Sequence, residues 1–170
     1  MMVAQEEIDK KVLVSASDPV TGSTPLMYAT IENRMQLMER FINLGCDINK
    51  KNKENYTALH FASMYAREDT INWLLAKRAN TNSLGGPLKQ SCVHLASARR
   101  SGQASQIVRI LLHNSSPELR FKEDLSGTIP LFCGIEATNN NVCKELLAKD
   151  AEAQVVTNNF RVNNFHKKLL

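Results

Sequence analysis

The sequence predicts an all-α solenoid of about four helix-turn-helix units joined by short β-hairpin fingers, and three observations predict it. A six-residue segment recurs four times, as Thr24-Pro-Leu-Met-Tyr-Ala29, Thr57-Ala-Leu-His-Phe-Ala62, Ser91-Cys-Val-His-Leu-Ala96 and Ile129-Pro-Leu-Phe-Cys-Gly134, with starts 33, 34 and 38 residues apart. An apolar pair follows each start by 17 and 18 residues, at Phe41-Ile42, Leu74-Leu75 and Leu146-Leu147, while the third unit has Leu111-Leu112 three residues late. One Trp, six Phe and three Tyr in 170 residues suit a stack of short units better than one large core.

Each position of the segment has a physical task. Thr24 and Thr57 supply a hydroxyl to an orphan backbone N–H at the start of a helix. Pro25 and Pro130 stand at the first helical position, where a missing donor is tolerated. Leu26, Leu59, Val93 and Leu131 face the core between two helices, and the small residues Ala29, Ala62, Ala96 and Gly134 let adjacent inner helices approach closely. The late pair in the third unit puts three extra residues in its turn, around 99–106, and two more between Leu112 and Ile129. The stretches 47–55, 80–90 and 121–127, rich in Asn, Gly and Lys, read as the fingers between units.

This pattern resembles the ankyrin repeat, whose period is about 33 residues and whose signature contains T-P-L-H. The resemblance implies a surface for binding other proteins. It also implies that His60 and His94 bond to neighbouring backbone and hydroxyl groups, a bond that Met27 and Phe132 should forfeit in units one and four. A closer resemblance is carried by Thr21-Gly-Ser-Thr-Pro-Leu-Met-Tyr-Ala-Thr30, Met64-Tyr-Ala-Arg-Glu-Asp69, Val93-His-Leu-Ala-Ser-Ala-Arg-Arg-Ser-Gly102 and Cys143-Lys-Glu-Leu-Leu147. These segments are similar to the N-terminal ankyrin repeats of the no-mechanoreceptor-potential-C channels, the N-type transient receptor potential branch. That likeness implies a cytoplasmic tether between a membrane pore and the cytoskeleton.

The expected organisation is an N-terminal segment over 1–17, in which Ile8, Val12 and Leu13 suggest a capping helix, then repeats over 18–150. The units are drawn at about 22–54, 55–88, 89–126 and 127–150. Residues 151–170 carry no further T-P-L-H segment, and Leu146, Leu147, Val155, Val156, Phe160, Phe165, Leu169 and Leu170 would leave apolar side chains uncovered. Terminal repeats normally carry a polar outer face, so the chain reads as truncated or as a fragment of a longer array.

No chemical constellation outweighs its structural alternative. Cys46, Cys92, Cys133 and Cys143 form no CxxC pair, which fits reduced thiols in a cytoplasmic protein and neither a disulfide framework nor a metal site. Core cysteines in helices lack the electropositive, partly exposed setting that activates a thiol. Gly85-Gly86-Pro87 lacks the context of a phosphate loop and reads as a finger. The basic groups Lys50-Lys51-Asn52-Lys53, Arg99-Arg100 and His166-Lys167-Lys168 lie on turns or the tail, where they are solvated or meet an acidic partner or lipid headgroups. Trp73 is read as packed at the edge of the core. With 17 acids among 21 bases and a net charge of +4, no stripe suits nucleic acid. No apolar run reaches the roughly 18 residues of a membrane span, and MMVAQEEIDKKV lacks the apolar region of a secretory signal.

The expectation is therefore a non-enzymatic, cofactor-free and metal-free protein-interaction module that binds protein partners, cytoskeletal ones among them if the channel likeness holds. The alternative is a stand-alone cytosolic scaffold or adaptor. The partner-binding candidates, read as exposed on fingers and inner helices, are Asn52, Lys53, Glu54, Met64, Tyr65, Arg67, Arg99 and Arg100.

Overall fold

The repeated segments become the inner row of a stack of helix pairs in the computed structural model, which describes Val12 and residues 16–148. The pairs are α1 (Pro25–Ile31) with α2 (Met35–Asn43), and α3 (Ala58–Tyr65) with α4 (Glu68–Ala76). They continue with α5 (Cys92–Ser97) and α6 (Ala104–His113), then α7 (Pro130–Glu136) and α8 (Asn140–Leu147). Inner helices contact inner helices in sequence, α1 to α3 to α5 to α7, while α4, α6 and α8 line up as the outer row.

Helix starts follow the capping logic of the motif. In α1, Thr24 Oγ1 accepts from the Met27 backbone N–H at 3.3 Å. In α5, Ser91 Oγ accepts from the His94 backbone N–H at 3.4 Å. Ile129 has no hydroxyl, and α7 starts without a side-chain cap. Helix ends use left-handed residues. Outer helix α2 closes on Gly45 (φ 92°), with Gly45 N–H donating to Ile42 C=O and Cys46 N–H to Phe41 C=O. The same two bonds close α4 on Arg78 (φ 65°), from Arg78 N–H to Leu75 C=O and Ala79 N–H to Leu74 C=O. A side chain in that conformation costs roughly 1–2 kcal/mol. Arg78→Gly is accordingly expected to raise the unfolding free energy by about 0.5–1 kcal/mol after the entropy of the freer unfolded chain is subtracted, as read by urea titration.

The core runs along the middle of the stack. Leu26, Met27 and Met38 of the first pair, Leu59, Ile71 and Leu74 of the second, and Val93, Ile107, Val108 and Leu111 of the third are all fully buried. Ala62 and Ala96 are also fully buried, at the positions where inner helices approach. A Cβ on Gly134 would stand 3.0 Å from Val142 Cγ1, so a larger residue there requires Val142 to shift. The turn between α5 and α6 runs from 98 to 103, longer than the turns of the other units, and a 3-10 turn, Pro117–Arg120, follows α6. Leu146, expected to be left uncovered, is buried, whereas Leu147 is half exposed. Val12, which is exposed, is the sole described member of the proposed capping helix; Ile8, Leu13, Val155, Val156, Phe160, Phe165, Leu169 and Leu170 lie outside the described residues.

Of the fingers, the one between units two and three pairs as a β-hairpin, β1 (Leu84–Gly85) with β2 (Gln90–Ser91), in the register Leu84 to Ser91 and Gly85 to Gln90. Two residues before each capping position the chain is left-handed, at Gly22, Asn55, Lys89 and Gly127. Backbone bonds then link each finger to the next: Lys53 N–H to Thr21 C=O, Gly86 N–H to Glu54 C=O and Leu125 N–H to Leu88 C=O. Among the described residues no helix is long and apolar enough to cross a membrane.

Candidate interaction surface

Fingers and inner helices together form one face, and its frame is set by the two buried histidines. The backbone N–H of Thr57 donates to His60 Nδ1 at 3.0 Å, which fixes Nδ1 as an acceptor and leaves the ring proton on Nε2. That Nε2–H points at Ser83 C=O, 3.2 Å away in the next finger. His94 repeats the arrangement, accepting from Ser91 N–H at 3.2 Å and donating through Nε2 to Thr128 C=O at 3.0 Å. Burial lowers the pKa of His60 to about 4 and lowers that of His94 as well, so both rings are neutral connectors.

Unit one departs from the expectation that Met27 forfeits this bond. The Thr24 backbone N–H meets Met27 Sδ at 3.3 Å, a weak acceptor standing where the imidazole nitrogen stands in units two and three. The thioether has no donor, so the local cap survives and a histidine-type tie to the following finger does not.

Two of the eight candidates are corrected by their burial. Asn52 is only 8% exposed: its Oδ1 accepts from Glu54 N–H (3.1 Å) and Tyr56 N–H (2.9 Å), and its Nδ2 reaches Ser23 Oγ at 3.4 Å. The side chain shapes its own finger. Arg99 is half-buried, with Nη1 at 2.9 Å from Ala66 C=O and within 3.4 Å of the carbonyls of Ala62 and Ser63. Its guanidinium closes the C-terminal end of α3, where orphan carbonyls and the helix dipole favour a cation, and burial lowers its pKa. The long turn of unit three brings Arg99 back over its neighbour.

The other candidates divide by what holds them. Lys53 is exposed, but its Nζ donates to Pro19 C=O at 2.7 Å. Glu54 is exposed, Met64 is half-buried and Tyr65 is 59% exposed. Arg67 and Arg100 are exposed, the former anchored through its backbone N–H to Asn33 Oδ1 at 2.8 Å. Residue-by-residue reading missed several neighbours on this face: Tyr28 on α1, and Val20, Leu88 and Leu125 on the fingers, all exposed. Tyr28 occupies the fifth place of the motif, which comparison of the four segments could have singled out as variable. The outer surface carries its own clasp, with Glu39 accepting from Trp73 Nε1 (3.0 Å) and Lys77 Nζ (2.9 Å), and Lys77 over the indole ring.

The Cys92 thiol is fully buried and pushed up to about 12, the opposite of activation. Among the described residues no group of three or more His, Cys, Asp or Glu side chains is placed to hold a metal ion.

Comparison with known proteins agrees with this geometry. A family model described as ankyrin repeats (3 copies) matches residues 1–84. Palmitoyltransferase ZDHHC17 of Danio rerio is 32% identical over 92 residues, 54% of this chain and 14% of that protein. Palmitoyltransferase Hip14 of Drosophila melanogaster is 27% identical over 109 residues, 64% of this chain and 17% of its own length. Palmitoyltransferase ZDHHC13 of Homo sapiens is 28% identical over 107 residues, 63% of this chain and 17% of that protein. The chain thus spans less than a fifth of these relatives, and they are palmitoyltransferases where the segment likeness pointed to channels. The recurrent capped segment, the paired helices and the family match together establish the fold as an ankyrin-repeat α-solenoid.

Proposed function

We propose that the chain is a protein-protein interaction scaffold that receives its partner on the face made by the fingers and inner helices, with the repeats spanning 18–150. The observation that carries this reading is the set Tyr65, Arg67 and Arg100: exposed, at or just beyond the C-terminal ends of the inner helices α3 and α5, and with side chains that no hydrogen bond or ion pair occupies among the described residues. Tyrosine and arginine are the side chains that most often anchor protein interfaces. Met64 adjoins Tyr65 in α3, and Lys53 and Glu54 stand on the finger that precedes this helix. Asn52 and Arg99 contribute by holding the finger and the turn in place.

The likeness to palmitoyltransferases falls on the repeat region, so acyl transfer is not attributed to this chain. A cytoplasmic adaptor is the preferred setting. The channel reading rests on four segments, and two of them have local explanations: in T-P-L-M the Met27 sulfur accepts the Thr24 N–H at the start of α1, and in M-Y-A-R-E-D the acids Glu68 and Asp69 sit in the first turn of α4, where they favour the helix dipole.

Replacing Tyr65, Arg67 and Arg100 with alanine tests the face. Partners captured by the immobilised wild-type chain are identified by mass spectrometry and their affinities measured by calorimetry. The triple variant should bind at least tenfold more weakly with an unchanged circular dichroism spectrum. Undiminished binding by the folded variant sinks the proposed face.

A further inference from the structure

Between the fingers 47–55 and 80–90 lies a cleft of about 500 Å³ lined by Lys51, Lys53, Glu54, Leu84, Pro87 and Lys89, along with Asn55 and Gly86. Three ammonium groups face one carboxylate there. Among the described residues the ion pairs are Lys77 with Glu39 and Arg109 with Glu145, both on the outer helices, so Glu54 neutralises none of the three lysines. Lys53 Nζ is satisfied by Pro19 C=O, whereas the ammonium groups of Lys51 and Lys89 have no hydrogen-bond partner among the described residues. The floor is rigid: Gly86 N–H is bonded to Glu54 C=O at 2.7 Å, and a Cβ on Gly85 would already stand 2.8 Å from Asn55 C=O. Leu84 and Pro87 give the same cleft an apolar wall.

We infer that this cleft binds an acidic peptide segment of a partner protein, with an apolar side chain against Leu84 and Pro87 and carboxylates against Lys51 and Lys89. The charge excess selects an anion, and unpaired lysines on a fixed backbone hold it without first breaking an internal ion pair. The apolar wall selects a peptide side chain over a bare anion. A membrane surface fits less well, because the lysines line a recess between two fingers and not a protruding edge. This inference rests on the scaffold reading and supplies the partner's chemistry at the finger edge.

The test is selection of a phage-displayed library of random dodecapeptides on the intact chain, followed by fluorescence anisotropy with the enriched peptides in synthetic form. The expected result is enrichment of peptides with aspartate or glutamate flanking an apolar residue, bound with an affinity that falls as salt rises. Lys51→Glu combined with Lys89→Glu should weaken that binding at least tenfold. The pair Lys51→Gln and Lys89→Gly, which relieves a left-handed residue and should fold at least as well, should weaken it by a smaller factor. Enriched peptides without acidic bias, no enriched peptides, or equal binding by both double variants overturns the inference. So does cosedimentation with phosphatidylserine vesicles, but not phosphatidylcholine vesicles, that depends on the same lysines, because it reassigns the cleft to lipid. If the lysine variants keep full binding to the captured partners while the Tyr65, Arg67 and Arg100 variant loses it, the cleft fails and the scaffold reading stands.

Discussion

Gly86→Ala should lower the unfolding free energy by about 3 kcal/mol, the sum of a left-handed backbone penalty and an overpacking penalty. Gly86 holds φ at 77°, and an added Cβ would overlap the phenol oxygen of Tyr56. Tyr56 cannot easily yield, since its ring packs edge-on to His60 at 5.7 Å and against Phe61 at 5.6 Å. Moving it disturbs the histidine that ties unit two to the next finger. Urea titration of the single variant, and of Gly86→Ala combined with Tyr56→Phe, measures how much of the loss belongs to the phenol oxygen. The double variant should recover only a part of the loss, because the ring carbon Cζ would still stand 2.6 Å from the added Cβ; full wild-type stability in the single variant would show that the finger repacks freely.

Mild acid should weaken the stack before its carboxylates titrate. His60 has a pKa of about 4 in the folded chain against the ordinary 6.5, so the unfolded chain binds the extra proton. Its contribution is complete above pH 6.5 and is lost as pH falls toward 4. At pH 5 the loss from His60 alone is about 2 kcal/mol, and His94, lowered for the same reason, adds to it. His60→Gln keeps a side-chain acceptor at the third helical position, able to receive the Thr57 N–H as in a capping box, but cannot titrate. The expected outcome is a flatter stability profile between pH 7.5 and 5 in this variant, measured by urea titration at each pH. An unchanged slope would mean that another group senses the acid.

The fold was legible because each motif position answers a local requirement. A hydroxyl at Thr24 or Ser91 and a proline at Pro25 or Pro130 are dictated within one unit, a small residue such as Ala62 by the next inner helix, and four aligned copies expose them. The surface was less legible. Asn52 and Arg99 are polar residues in turns, which usually means solvent, but their partners are Ser23 and the carbonyls of Ala62, Ser63 and Ala66, some 29 to 37 residues away. Sequence spacing gives the rise from one repeat to the next; it does not say which side chains bridge that rise. Met27 was misread for a related reason: its sulfur takes the geometric place of an imidazole nitrogen, a substitution by shape that a comparison of polarity hides.

The bridges between helix-helix turns have a mechanical side. Asn33 Oδ1 accepts from Arg67 N–H at 2.8 Å, and Asn139 Nδ2 donates to Arg99 C=O at 3.2 Å, each linking the turn of one unit to that of another. The finger-to-finger backbone bonds do the same at the opposite end of the inner helices. A stack bonded along both flanks resists shear, because sliding one unit past its neighbour must break rungs on two sides at once, whereas helix faces packed by apolar contacts alone can slip gradually. Load passing along the chain would therefore be shared across unit boundaries, and the stack would bend as one strip before any single unit came loose.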